Sequence, residues 1–220
     1  MVTAHHRPTG LLSSKDAYAE LLKLLLDTRR YSKGEKEFQL VVQVDLKDGE
    51  KPVQVEVEFL APKDVKLTKN NPRLLADFRI LQTEACGVAF HAPVELAVSG
   101  QTVRGVENTV RVRVASLSDF LVMKAHAIAG RDKPKDSYDL CYCLQNHPDG
   151  PREFGEDWKQ RLADKNIAKA VAILREKFAD VRAFGPQQMV EFLNSNSDEE
   201  RAMQARRAFE LVQALLKSIG

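Results

Sequence analysis

Apolar positions recur along this chain first with helical, then with strand, then again with helical spacing, and the changes of period mark out its elements. Tyr18, Leu21, Leu22, Leu25 and Leu26 form a helical stripe, with Ser13 or Ser14 as cap, Asp16 in the first turn and Arg29 and Arg30 at the end, which predicts a core helix over 13–30. Two segments of period two follow, FQLVVQVDL (38–46) and VQVEVEFL (53–60). Asp48-Gly49 lies between them, so they should pair as an antiparallel hairpin. On the second strand Gln54, Glu56, Glu58 and Leu60 share one face, and Val53, Val55, Val57 and Phe59 the other. Residues 63–84 mix Lys63, Lys66, Lys69, Arg73 and Arg79 with Asn70, Asn71 and Pro72, which reads as an exposed basic loop followed by a short helix or strand. VAFHAPVELAVSG and VRGVENTVRVRVAS alternate again, with a turn expected at Gly100, Val110, Val112 and Val114 facing in, and Arg111 and Arg113 facing out.

From Ser116 the helical period returns. Leu117, Phe120, Leu121, Ala125 and Ile128 make one apolar stripe capped by Ser116 or Ser118, and Gly130 stops it. After the loop RDKPK, Asp136 opens a second helix whose Tyr138, Leu140, Cys141 and Leu144 can face inward. The stretch QNHPDGPREFGED then reads as a linker, followed by helices over roughly 156–179, 186–193 beginning at Pro186, and 197–217 capped by Ser197 or Asp198. Trp158, Leu162, Ile167, Val171, Leu174 and Phe178 form the inner face of one, and Met203, Ala208, Phe209, Val212, Leu215 and Leu216 that of another. The fold expected is α+β: a mixed or antiparallel sheet of four or five strands flanked by helices over 1–145, then a helical bundle over 146–220.

Composition narrows the class. With 220 residues, 44% of them hydrophobic, the chain can bury a substantial core. A net charge of +2 gives no global reason to bind nucleic acid or an anionic membrane, so any such argument rests on local patches. Cys86, Cys141 and Cys143 are odd in number, and the last two stand too close on a helix to pair, which points to a reduced, cytoplasmic setting. No run approaches eighteen apolar residues and no signal-peptide core begins the chain, so a soluble, unexported protein is expected. His5 and His6, without other ligands beside them, read as exposed side chains.

The candidate chemistry gathers at the bend between the helices predicted at 116–130 and 136–144. Lys124 and Arg131 are seven residues apart and would share a helix face; Asp136 and Asp139, three apart, share another. Two cations against two carboxylates support two readings: a buried ion-pair clasp between helices, or a phosphate clamp in which Asp136 orients the lysine or a substrate hydroxyl.

The run K-x-x-A-x-x-x-R-x-K-x-K-D-x-x-D-L, here Lys124, Ala127, Arg131, Lys133, Lys135, Asp136, Asp139 and Leu140 with Leu121 before it, resembles the C-terminal signature of the AbiEii-type nucleotidyltransferases, the toxin branch of the polymerase-beta-like superfamily. The likeness spans roughly residues 5–145. It implies transfer of a nucleoside monophosphate from a triphosphate onto an RNA or protein hydroxyl, Mg²⁺ as cofactor, and an antitoxin as partner. Val57-Glu58-Phe59-Leu60-Ala61-Pro62 is similar to the family's h-x-V-D-h-L-x-P strand, with glutamate for aspartate, so Glu58 is the implied carboxylate for a metal or an attacking hydroxyl. Arg7 and Thr9 match the family's R-x-T-x-D-x-D segment, while Leu11 and Ser13 stand where its aspartates would be and the glycine-serine turn before it is missing. The implied site comprises Glu58, Lys124 and Asp136 as catalytic residues, Glu58 also holding metal, and Arg7, Thr9, Arg131, Lys133 and Asp139 on the substrate. The alternative is a catalytically degenerate protein of the same fold that binds a nucleotide or partner, since Leu11 and Ser13 remove both metal carboxylates.

Overall fold

The structure is a computed structural model that describes residues 23–28, 30–45, 51–63, 80–102 and 105–220. The chain divides after Val114 into two compact units. The architecture is α+β, with small antiparallel and parallel sheets followed by helices. Among the described residues the strands fall into three separate sheets rather than one of four or five strands.

In the first unit, residues 23–27 are helical, within the span expected for the first helix; the remainder of that span, 13–22, lies outside the described residues. Strands β1 (Tyr31–Lys33), β2 (Gln39–Val44) and β3 (Val53–Glu58) form an antiparallel sheet in that order, so the predicted strand pairing is present, while the Asp48-Gly49 turn lies outside the described residues. Its register sets Leu40 opposite Val57. The apolar core is confined to one end: Leu40 and Phe59 are buried, with Leu25, Leu26, Tyr31, Val57 and Ile80 packed against them. Val53 and Val55, on the same alternating face, are exposed, because the apolar cover gathers at the far end of the strand.

The chain runs on through Phe59 into β4 (Leu60–Pro62), which pairs in parallel with β5 (Leu81–Thr83). A 3-10 turn over Cys86–Phe90 buries Cys86, Val88 and Ala89 and follows Ala85, whose φ of 59° is left-handed. Residues 88–90, expected to begin a strand, therefore belong to this turn. β6 (Val94–Gln101) and β7 (Glu107–Val114) pair antiparallel along their whole lengths. Gly100 lies inside β6 opposite Asn108, and the reversal comes at Thr102–Val106, where Gly105 has a φ of +77° and donates to the Thr102 carbonyl at 2.9 Å. Val110 and Val112, expected to face inward, are exposed, and Val114 is half-buried. The physical reason is that this is a two-stranded ribbon with no third strand paired to it among the described residues, so nearly all of its alternating side chains stay exposed.

The second unit is helical: α1 (Leu117–Gly130), α2 (Pro134–Asn146), α3 (Gly150–Gln160), α4 (Lys165–Lys177), α5 (Phe184–Leu193) and α6 (Asp198–Ile219). α1 packs on α2 and α4, α2 on α5, and α6 on α3 and α5. The core comprises Leu121, Ala125, Leu140, Leu144, Trp158, Ile167, Leu174, Phe178, Val212 and Leu215, all fully buried. The stretch expected to be a linker is helical from Gly150 onward. Pro151 in the first turn needs no amide partner there, and Phe154 and Trp158, four apart, anchor α3 to the core. α3 and α4 are separate helices within the single span expected, and Asp164 caps the second by accepting from the Asn166 amide at 2.7 Å. Among the described residues no helix is long and apolar enough to cross a membrane. The three cysteines are free, and burial pushes the Cys141 thiol up to about 12.

Candidate functional site

The site is built by how α1 ends and α2 begins. Ser116 caps α1, its side chain accepting from the Asp119 amide at 3.1 Å, and the apolar stripe of Leu121, Ala125 and Ile128 fixes the rotation of the helix in the bundle. Lys124 is thereby left on the side that faces α2. At Arg131 the backbone is extended (φ −157°, ψ 155°), so Arg131 has left the helix instead of continuing its face as the seven-residue spacing suggested. Pro134 then opens α2, two residues before the position expected, and Asp136 falls in the first turn, where the helix dipole favours a carboxylate.

The two carboxylates collect three cations. Lys124 Nζ donates to Asp136 Oδ1 at 2.8 Å and to Asp139 Oδ2 at 2.7 Å. Arg131 donates twice to Asp136, Nε to Oδ2 at 2.7 Å and Nη2 to Oδ1 at 3.0 Å, a bidentate pair. Lys135 Nζ donates to Asp139 Oδ1 at 2.6 Å. Exposure divides this group: Asp136 is 2% exposed at its side chain and Lys124 and Asp139 are 16%, whereas Arg131 and Lys135 are each 53%. Burial alone would raise the Asp136 carboxyl, but the hydrogen bonds and charges of Arg131 and Lys124 outweigh it and hold its pKa below the ordinary value. Asp139 is lowered against its own burial by Lys124 and Lys135 in the same way. Three cations on two carboxylates leave one positive charge in excess, carried at the exposed rim. The Lys124 ammonium also lies 5.3 Å from the centre of the Phe120 ring, a cation–π contact.

The structure thus brings Lys124, Arg131, Asp136 and Asp139 together and adds Lys135, which the sequence reading gave no role. Lys133 caps α2 through its backbone and is exposed. Glu58 belongs to the first unit, at the end of β3, one-third exposed, where it accepts from Lys36 Nζ at 3.3 Å and Gln39 Nε2 at 3.4 Å. Arg7 and Thr9, with Leu11, Ser13 and the histidine pair, lie outside the described residues.

Sequence reasoning missed a second polar group in this unit. Asp119 is fully buried and receives Arg161 Nη2 at 2.6 Å and Ser116 Oγ at 2.9 Å, while Arg161 Nη1 donates to Asp157 at 2.9 Å and Trp158 Nε1 to Ser118 Oγ at 3.1 Å. Burial of Arg161 would lower its pKa, but Asp119 and then Asp157 raise it on balance. The available signal was local: an aspartate three residues after a serine cap suits a helix start, and its partner is 42 residues away.

Comparison with curated proteins and with solved structures found no match. Residues 29–214 match the family model described as the nucleotidyl transferase AbiEii toxin of Type IV toxin-antitoxin systems. The match begins after Arg7 and Thr9 and runs through α1 to α5 into α6. A model that covers most of the chain, including the whole elbow formed by α1, the loop at Arg131–Lys133 and α2, identifies it: this chain belongs to the AbiEii nucleotidyltransferase toxin family.

Proposed function

We propose that the chain binds a nucleoside triphosphate and moves its nucleoside monophosphate onto an RNA or protein hydroxyl, as the toxin of a toxin-antitoxin pair. The observation that carries this reading is the charge excess of the elbow: a buried Asp136 holds Lys124 and Arg131 in place, and the half-exposed Arg131 and Lys135 present positive charge to solvent. Such a group can take phosphate charge as it develops, because its cations are already oriented before the substrate arrives. In this reading the exposed Arg131, Lys133 and Lys135 contact phosphate, while Lys124, buried between Asp136 and Asp139, holds in place the two carboxylates that fix the cations. Arg7 and Thr9 would add contacts from the N-terminal segment.

Mg²⁺ is bound in triphosphate sites by one or two carboxylates plus phosphate oxygens and water. Glu58 and Glu56, on the same face of β3 in the first unit, supply that number of carboxylates, so this strand offers donors of the right chemistry for the ion. Glu58 would give up its long contacts to Lys36 and Gln39 to hold it. When bound, the ion would screen the phosphate charge and align the reacting oxygen.

The second reading, a nucleotide-binding protein without transfer, is favoured by Leu11 and Ser13 in the aspartate positions of the motif. Incubation with labelled triphosphates, Mg²⁺ or Mn²⁺, and total RNA separates the two. Labelled product that depends on Glu58 and Arg131 supports transfer. Saturable calorimetric heat without product, weakened by Arg131→Gln by about 1–3 kcal/mol, supports binding alone. Neither signal, in a folded protein, leaves the elbow as an ion-pair clasp between helices.

A further inference from the structure

We propose that His147, Asp149 and Glu153 form a binding site for a borderline divalent transition metal of the zinc class at the junction of α2 and α3. His147 ends α2, its amide donating to the Cys143 carbonyl at 3.1 Å, and the chain reverses at once: the Gly150 amide bonds the His147 carbonyl at 3.0 Å, and Gly150 has a φ of +67°. The reversal sets Asp149 before α3 and Glu153 in its first turn, so three potential donor atoms lie within 4.8 Å of one another.

Two observations separate this group from an ordinary cluster of surface charges. The first is the imidazole. Its Nδ1 is shut off from solvent and makes no hydrogen bond, although Glu153 Oε2 stands 3.3 Å away, and the ring is held against buried Phe154 with centroids 4.5 Å apart. A ring nitrogen without a hydrogen-bond partner, already oriented by packing, can coordinate a cation in its unprotonated form. The second is Asp149, which occupies the N-cap position of α3 without a side-chain capping bond, so its carboxylate is not engaged with the helix amides.

The geometry tests the ion class. Ligands about 2.1 Å from a tetrahedral zinc stand roughly 3.4 Å from each other. The His147 to Glu153 separation of 3.3 Å already meets that, and an exposed Asp149 side chain can rotate to close the rest. One imidazole with two carboxylates selects Zn²⁺ and its neighbours Co²⁺ and Ni²⁺ over the all-oxygen ions Mg²⁺ and Ca²⁺, and two carboxylates neutralise the charge. Three protein ligands leave a fourth position for water, and the bound ion would pin the end of α2 to the start of α3.

The test uses the full chain carrying His5→Ala and His6→Ala, so that the two adjacent imidazoles contribute no background zinc binding. Titration with ZnCl₂, followed by calorimetry and by thermal melting, should give one ion per chain and a raised Tm. His147→Gln and Glu153→Gln should each weaken zinc at least about tenfold and abolish the Tm rise, with helical circular dichroism unchanged because Glu153 is exposed. Zinc binding unaltered in both variants, absent from the parent, or lost only with His5 and His6 overturns the site. Equal binding of Mg²⁺ overturns the assignment of ion class.

Discussion

Asp136→Asn removes one charge and keeps the shape of the side chain, so it isolates what the elbow's electrostatics contribute. Asp136 is 2% exposed and receives hydrogen bonds of 2.7, 2.8 and 3.0 Å from two cations. Breaking a buried pair by neutralising one partner costs about 3–5 kcal/mol. The Arg131 share must be discounted, since its 53% exposed side chain can be rehydrated, and Lys124 keeps Asp139. The expected loss at pH 7 is therefore about 2–3 kcal/mol. The chain's single tryptophan, Trp158, is fully buried in the helical unit, so its fluorescence in urea reports that unit even if the two units unfold separately. The pH dependence carries a sign. A carboxyl whose folded pKa is lowered contributes stability that is present above its unfolded value, about 3.9, and lost as pH falls through the lower folded value. The gap between wild type and Asp136→Asn should thus be full at pH 6 and close below pH 4. A variant within about 0.5 kcal/mol of wild type at pH 7 would refute the reasoning, because that is the scatter of ordinary surface substitutions. So would a gap that persists undiminished at pH 3.

Three further outcomes are expected. Ser137→Ala should be neutral or stabilising in the same urea assay, because the buried Ser137 hydroxyl has no hydrogen-bond partner and its removal relieves a desolvation cost of about 1–3 kcal/mol. Gly155→Ala should destabilise by about 1–3 kcal/mol despite the better helix propensity of alanine, since the added methyl would sit 2.6 Å from the backbone carbonyl of Leu215, which cannot move without shifting α6. Asp139→Asn should speed alkylation of Cys143 at pH 8, read by mass spectrometry, because burial and then the Asp139 charge raise that thiol while Lys124 and Lys135 lower it. An unchanged rate would place Asp139 without influence on the thiol.

What the sequence disclosed was local. The 39–44 and 53–58 strands follow from alternation, and α1 follows from Ser116, its stripe and Gly130, because each depends on neighbours close in the chain. Beyond that range it was silent. The parallel pairing of Leu60–Pro62 with Leu81–Thr83 links segments whose partners no spacing specifies, and Asp119 finds Arg161 across two helix boundaries. Pro151 and Gly155 made the start of α3 read as linker, although Pro is harmless in a first turn and Gly155 is required by the close approach of α6. Alternation in Val110 and Val112 marked a strand correctly and burial wrongly, since period two reports which residues share a face and not whether anything covers that face.

The elbow itself was legible as a set of charges but not as a gradient of exposure, and the gradient is what makes its two readings separable. Spacing put Lys124 and Arg131 on one face; instead Arg131 leaves α1 in extended conformation and reaches Asp136 from the loop, which is why it remains half exposed while Lys124 is not. A clasp needs Lys124 and Asp136, the buried members, and its loss appears as stability. A phosphate site needs charge that solvent and substrate can reach, which is Arg131 and Lys135. Charge removal at Arg131 or Lys135 should therefore cost little in folding, as exposed pairs do, and weaken nucleotide binding if the elbow takes phosphate. If both properties fall together at Asp136 and neither moves at the rim, the elbow's charge serves the packing of α1 on α2.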